Sequence, residues 1–234
     1  MDFKDNILQL AERIKKQKDA IQTEEATKNA FIMPIITALG YDVFNPFEVV
    51  PEMDCDLTRK GDKIDYAIKK DGRTIILIEC KHCKQNLDLH NTQLSKYYAA
   101  SNARFGVLTN CIEYRFYADL DKTNIMDEKP FLVVNMLDLS DADIEEMKKF
   151  HKSCYNESEI FSTAKELQMM IQIKEILAKN FQSPGDEFTR YFVRSLNNGK
   201  STPKLIEEYR PIVRKSILSV IGGMISGRPD TAIL

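Results

Sequence analysis

The apolar positions Phe3, Ile7, Leu10, Ala11 and Ile14 recur every three or four residues with polar and basic residues between them. This spacing predicts an amphipathic helix over residues 3–18. Thr23 has the character of a helix N-cap, and the run Ala30, Phe31, Ile35, Ala38, Leu39 predicts a second helix ending at Gly40, kinked at Pro34. Three β-rich runs follow, at 41–50, 63–69 and 74–81, the last two joined by Lys70-Asp71-Gly72-Arg73, whose Asp-Gly predicts a hairpin turn. Residues 91–100 read as a helix, then 105–109 and 112–118 as a pair of strands turning at Asn110-Cys111, with 131–137 as a further strand. Beyond that the pattern becomes helical, at 141–150, 157–180, 185–196 and 203–225, broken at Ser183-Pro184 and Asn197-Asn198-Gly199. The order α, β, β, β, α, β, β and then helices gives an α/β fold with a helical C-terminal region. The boundary is expected near Ser140, with domains 1–140 and 141–234.

The 234 residues are 43% hydrophobic and 29% charged, enough to bury a core. No apolar run approaches the roughly 20 residues that span a bilayer, so no membrane association is expected. The start, Met1-Asp2-Phe3-Lys4-Asp5-Asn6, lacks the pattern of a signal peptide, which predicts a cytoplasmic protein. Its five cysteines, Cys55, Cys80, Cys83, Cys111 and Cys154, are then expected to be thiols. A net charge of -2 excludes a polycation that coats nucleic acid indiscriminately and leaves only a local basic face for such contacts.

Candidate chemistry concentrates in Ile64-Asp65-Tyr66-Ala67-Ile68 and Ile76-Leu77-Ile78-Glu79-Cys80-Lys81. Residues i and i+2 of a strand share a face, so Glu79 and Lys81 project together from the end of an apolar strand. If the neighbouring strand brings Asp65 beside them, two carboxylates and an ammonium converge. Carboxylates are hard ligands for Mg²⁺ or Mn²⁺, and a lysine can orient or deprotonate water and offset phosphate charge, a combination suited to phosphodiester hydrolysis. A charged strand end on a solvated hairpin is the plainer reading of the same spacing.

Asp65, a hairpin and Glu79-Cys80-Lys81 resemble the Asp, Glu-x-Lys signature of PD-(D/E)xK nucleases, and the element order resembles their αβββαβ core. Together with Thr23-Glu24-Glu25-Ala26-Thr27-Lys28, Leu39-Gly40-Tyr41-Asp42-Val43 and Leu108-Thr109-Asn110, these segments resemble the N-terminal nuclease domain of type I restriction enzyme R subunits over about residues 20–140. The resemblance implies a metal-dependent deoxyribonuclease with a restriction or defence role in a prokaryote or phage, and DNA as its partner. It further implies a helix glutamate as a metal ligand beside Asp65 and Glu79. Glu24, in phase with Phe31 and Ile35, and Glu25, in phase with Ile32 and Ile36, both qualify, with Glu24 preferred. Gln93 and Tyr97, one helical turn apart, resemble the Gln-x-x-x-Tyr element of RecB-like nucleases that faces the catalytic residues.

Arg59, Lys60, Lys63, Lys69, Lys70, Arg73, His82 and Lys84 suggest a basic surround for this site, diluted by Asp62 and Asp71. Cys80, His82, Cys83 and His90 make a weak zinc pattern, because strand alternation turns Cys80 away from Lys81. Gly199-Lys200-Ser201 imitates a phosphate-binding loop, but Arg194 stands where the earlier glycine is required, so no ATP use is expected. The C-terminal helices carry no ligand cluster, and Ile212, Val213, Ile217, Leu218, Val220 and Ile221 form an apolar face for a core, a second copy or a restriction-system partner. Two other functions fit the same pattern: a nucleic-acid-binding or assembly module without turnover, and a small-molecule metalloenzyme.

Overall fold

The computed structural model describes residues 2–54, 63–89 and 91–226. The expectations for Cys55, Arg59, Lys60, Asp62 and His90 fall outside the described residues. The chain separates into two compact units, 1–168 and 169–234.

The first unit is built on a six-stranded sheet in chain order: β1 (Val49–Asp54), β2 (Lys63–Lys70), β3 (Arg73–Cys80), β4 (Phe105–Thr109), β5 (Glu113–Tyr117) and β6 (Leu132–Asn135). Only β3 and β4 run parallel, and the helix α4 (Asn91–Ala100) lies between them in the chain, as a crossover requires. Asp71 and Gly72, at φ 51° and 75°, make the β2–β3 hairpin turn, a conformation that Gly adopts freely and Asp tolerates. α1 (Phe3–Gln17) is capped by Asp2, whose side chain accepts the Asp5 N–H at 2.8 Å.

The second helical run is divided into α2 (Glu24–Thr27), a π-helical segment at Lys28–Ile32 and α3 (Met33–Ala38). Thr23 caps it as expected, accepting the Ala26 N–H at 3.0 Å. Proline lacks an N–H and crowds the carbonyl four residues before it, and the widened turn lies immediately ahead of Pro34.

The strand expected at 41–50 is a correction: pairing begins only at Val49. The Asp42 and Asn45 side chains accept the N–H groups of Phe44 and Phe47, at 2.9 and 3.1 Å. These side-chain turns compete with a sheet ladder, and Pro46 has no N–H to offer one.

One face of the sheet carries Ile68, Ile76, Ile78, Val107 and Phe116, packed with Phe31, Ile32, Ile35 and Ile36 of the divided helix. The smaller cluster contains Ala67, Leu77 and Leu108 with Leu94, Tyr97 and Tyr98 of α4. The compact unit also extends past the boundary expected near Ser140. Ile144 and Met147 of α5 (Asp141–Lys148), Phe150, Tyr155, and Ile160 and Ala164 of α6 (Glu157–Gln182) all belong to the larger core. A capping box at Ser140 and Asp143 starts α5, so the change to a helical pattern at Ser140 is a helix start inside the unit.

The second unit contains the end of α6, α7 (Asp186–Leu196) and α8 (Pro203–Ser226). Val193 of α7 and Ile206 and Val213 of α8 are buried, while Tyr191, Leu196, Ile212, Leu218, Met224 and Ile225 are exposed. Gly199-Lys200-Ser201 lies between these two helices. No helix among the described residues is long and apolar enough to cross a membrane. Cys80, Cys83, Cys111 and Cys154 are free thiols, the first three buried.

Candidate carboxylate and lysine site

Asp65 stands near the start of β2 and Glu79 near the end of β3, where the antiparallel ladder reaches Tyr66 opposite Ile78. Asp65 extends this junction with its side chain: Oδ2 accepts the Cys80 N–H at 2.7 Å. Its Oδ1 accepts from Lys28 Nζ at 3.1 Å, in an ion pair whose side chains are only 12% and 14% exposed. Glu79 is 1% exposed and takes Lys81 Nζ on Oε1 at 2.5 Å. Its other oxygen, Oε2, is buried and has no hydrogen-bond partner among the described residues.

Burial and the charge of Asp65 push the Glu79 carboxyl up to about 7, Lys81 works in the opposite direction, and Glu24 adds to the rise. Burial opposes the Lys81 ammonium, but its bond to Glu79 and the negative charges of Glu79, Glu24 and Asp65 hold its pKa above the usual lysine range. Lys28 is raised in the same way by Glu25 and Asp65 against its own burial.

The two helix glutamates are placed differently. Glu24 is half-buried, and its charge bears on Glu79, Lys81 and Cys80. Glu25 is exposed, and its Oε2 lies 2.7 Å from Lys28 Nζ. Lys28 is the residue that the sequence reading did not place at the site. Its signal was present as a cation one turn after Glu24 and Glu25 on a helix entering the core.

Gln93 and Tyr97 of α4 sit on the opposite side of this junction from the divided helix. Gln93 Nε2 donates to the Lys63 carbonyl at 2.9 Å, and Tyr97 is buried in the smaller core cluster. Gln93 therefore fastens α4 to the start of β2, two residues from Asp65.

The expected basic surround is only partly assembled. Lys69, Lys70 and Arg73 belong to the hairpin end, and Lys70 is five residues along β2 from Asp65, roughly 17 Å at strand rise. Lys70 instead lies over the Tyr155 ring, 5.5 Å from its centre. Lys63 is at the Asp65 end but pairs with Glu52 at 2.9 Å. His82 and Lys84 are in the turn that leaves β3, where His82 Nδ1 accepts the Lys84 N–H.

Among the described residues, no three His, Cys, Asp or Glu side chains are drawn together into a ready metal-ligand set. This applies to the Cys80, His82, Cys83 zinc pattern as well as to the carboxylates. The Asp65 and Glu79 pair nevertheless fits a hard cation in its chemistry: burial and the charge of Asp65 raise the Glu79 carboxyl, and one buried Glu79 oxygen has no donor among the described residues.

The fold and the junction define an α/β protein with a mixed sheet whose β2–β3 end carries two carboxylates and two ammonium groups. Residues 45–125 match the family of the type I restriction enzyme R protein N terminus, so this part of the chain resembles the N-terminal domain of those subunits. No curated protein and no solved structure matches the chain.

Proposed function

We propose that this chain is a metal-dependent endonuclease that cleaves DNA, with a role related to restriction. The observation that carries the reading is the meeting of Asp65, Glu79 and Lys81 at one junction, with Glu79 raised to about 7 and its Oε2 left without a donor. Asp65 and Glu79 would hold Mg²⁺ or Mn²⁺, with Glu24 the favoured third carboxylate. The bound cation would offset charge on the scissile phosphate and lower the pKa of water.

The residues supply the remainder. Asp65, fixed by the Cys80 N–H, sets the position of the site relative to the sheet. Glu79 requires loss of its proton before it can act as a ligand, and Lys81 keeps a positive charge beside it. In hydrolysis the water oxygen forms a bond to phosphorus and gives up a proton, as one phosphoester bond breaks and its leaving oxygen takes up a proton to become a hydroxyl. Lys81 orients that water and balances the developing phosphate charge. The match at 45–125 supports DNA as substrate and a restriction-system protein as partner, with the exposed apolar residues of α8 as a surface for it.

One observation favours a second reading, an inert nucleic-acid-binding or assembly module: each carboxylate already has its own ammonium, Lys28 on Asp65 and Lys81 on Glu79. Incubating the purified chain with plasmid and with single-stranded DNA, in Mg²⁺, Mn²⁺ or EDTA, separates the two. Cleavage that needs the metal supports the nuclease. Binding with no cleavage in either metal supports the module.

A further inference from the structure

We infer that Lys28 is the exchangeable counter-ion of this site, an ammonium that holds Asp65 until a divalent cation takes its place, with Glu25 as the carboxylate onto which it withdraws. The inference rests on the metal-dependent reading above. Lys28 Nζ is 3.1 Å from Asp65 Oδ1 and 2.7 Å from Glu25 Oε2, so it lies between two carboxylates in quite different settings. Asp65 is 14% exposed and Glu25 65% exposed at the side chain.

The two oxygens of Asp65 have separate tasks. Oδ2 is committed to the Cys80 N–H, a main-chain bond that ties β2 to β3. Among the described residues, Oδ1 meets the end of the Lys28 side chain, a stem of four rotatable bonds rather than main chain. Oδ1 is therefore the oxygen free to change partner without disturbing the sheet. A Mg²⁺ ion held by Oδ1 would need the place on that oxygen that the ammonium now takes. The ammonium now on that same atom would be its close neighbour, and two cations repel strongly where water is largely excluded. Lys28 can leave without losing charge compensation, because Glu25 stays beside it at the surface. Its position supports the same role: Lys28 is the first residue of the π-helical segment, and its side chain reaches across to Asp65 on β2.

Manganese binding to the full chain, followed through the electron paramagnetic resonance signal of free Mn²⁺, tests the exchange without depending on cleavage. Lys28→Met keeps the length of the side chain and removes its charge, and Lys28→Gln serves if the first variant does not fold. The expected result is an affinity for Mn²⁺ tightened about tenfold by either change, with Lys63→Met, which removes a charge paired to Glu52, moving it less than twofold. Unchanged or weaker binding in the Lys28 variants, while Asp65→Asn abolishes wild-type binding, overturns the exchange and leaves the metal-dependent reading intact. Equal tightening by Lys63→Met also overturns it, since that is a general field effect. No Mn²⁺ binding by wild type or variants overturns both.

Discussion

Asp65 Oδ2 accepts the main-chain N–H of Cys80 at 2.7 Å, so a carboxylate proposed for metal binding is also part of the sheet. A buried N–H left without an acceptor costs about 1 to 3 kcal/mol. Asp65→Asn keeps an acceptor for Cys80 and loses the pair with Lys28, whereas Asp65→Ala loses both. Urea denaturation should therefore find Asp65→Ala less stable than Asp65→Asn by about 1 to 3 kcal/mol. Both should lose at least about 100-fold in metal-dependent cleavage, because neither carries the charge that holds a hard cation. Equal stability of the two variants would mean that the Cys80 bond is unimportant to the fold.

Glu79 should make stability depend on pH. Its carboxyl is raised to about 7 in the folded chain from an ordinary value near 4.5. Between those values the folded state binds more protons than the unfolded state, so this contribution is fully present below about 4.5 and is lost as pH rises through about 7. Glu79→Gln cannot titrate. Its stability relative to wild type should increase across this window, by an amount on the order of 1 to 3 kcal/mol. The same proton must leave before metal binds, so Mn²⁺ affinity in the wild type should be tighter at pH 8 than at pH 6. Denaturation curves at several pH values that run parallel for the two proteins would contradict this account of Glu79.

Lys81 should matter for turnover more than for DNA affinity. One phosphate contact contributes little to binding, while a group that orients water is needed in each cycle. Lys81→Ala is expected to bind DNA within several fold of wild type and to cleave at least about 100-fold more slowly. Gel-shift and single-turnover assays measure the two quantities separately. A large affinity loss with intact cleavage of bound DNA would make Lys81 a phosphate anchor.

The core contacts after Ser140 predict where the chain tolerates truncation. Phe150 is 2% exposed, lies 4.8 Å from Phe116 between ring centres, and its carbonyl accepts the buried Tyr41 hydroxyl at 3.1 Å. Burying one such side chain contributes about 1.5 to 3 kcal/mol, and a chain ending at Ser140 also loses Ile144, Met147, Tyr155 and Ile160. A fragment of residues 1–168 should unfold cooperatively, and one of residues 1–140 should not. Circular dichroism melting of both fragments decides the matter.

Much of the site was legible because the strand period is simple. Glu79 and Lys81 share a face from spacing alone, and the Asp71-Gly72 turn marks the hairpin; the irregularity between Ile68 and Lys69, which shifts the register by one residue and brings Tyr66 opposite Ile78, cannot be read from the turn. The resemblance that supplied Glu24, Gln93 and Tyr97 was carried by short segments in order, and the match at 45–125 covers the sheet half of it. What escaped depended on contacts between distant segments. Lys28 meets Asp65 across 37 positions of sequence, and its place one turn after Glu24 and Glu25 marks it as a cation near the site without naming Asp65 as its partner. The β1 start was misplaced because Tyr41, Val43, Phe44 and Phe47 look like strand residues, while Asp42 and Asn45 turn the backbone away. Lys69, Lys70 and Arg73 looked close to the site in sequence, yet a hairpin puts its turn at the far end from its open strand ends.

The π-helical segment at Lys28–Ile32 acts as a one-residue slip in the helix register. A regular helix would need a residue fewer between the site side chains of α2 and the core side chains of α3 to present both as they are. Counting turns from Ile35 back to Glu24 therefore gives the wrong angle, by about 100° of rotation for each inserted residue. In an alignment, a relative with an unbroken helix here would show a single-position gap after the site glutamates. Deleting one exposed residue of this segment, such as Asn29, should close it to a regular helix that still presents Glu24 to the sheet and Ile35 and Ile36 to the core.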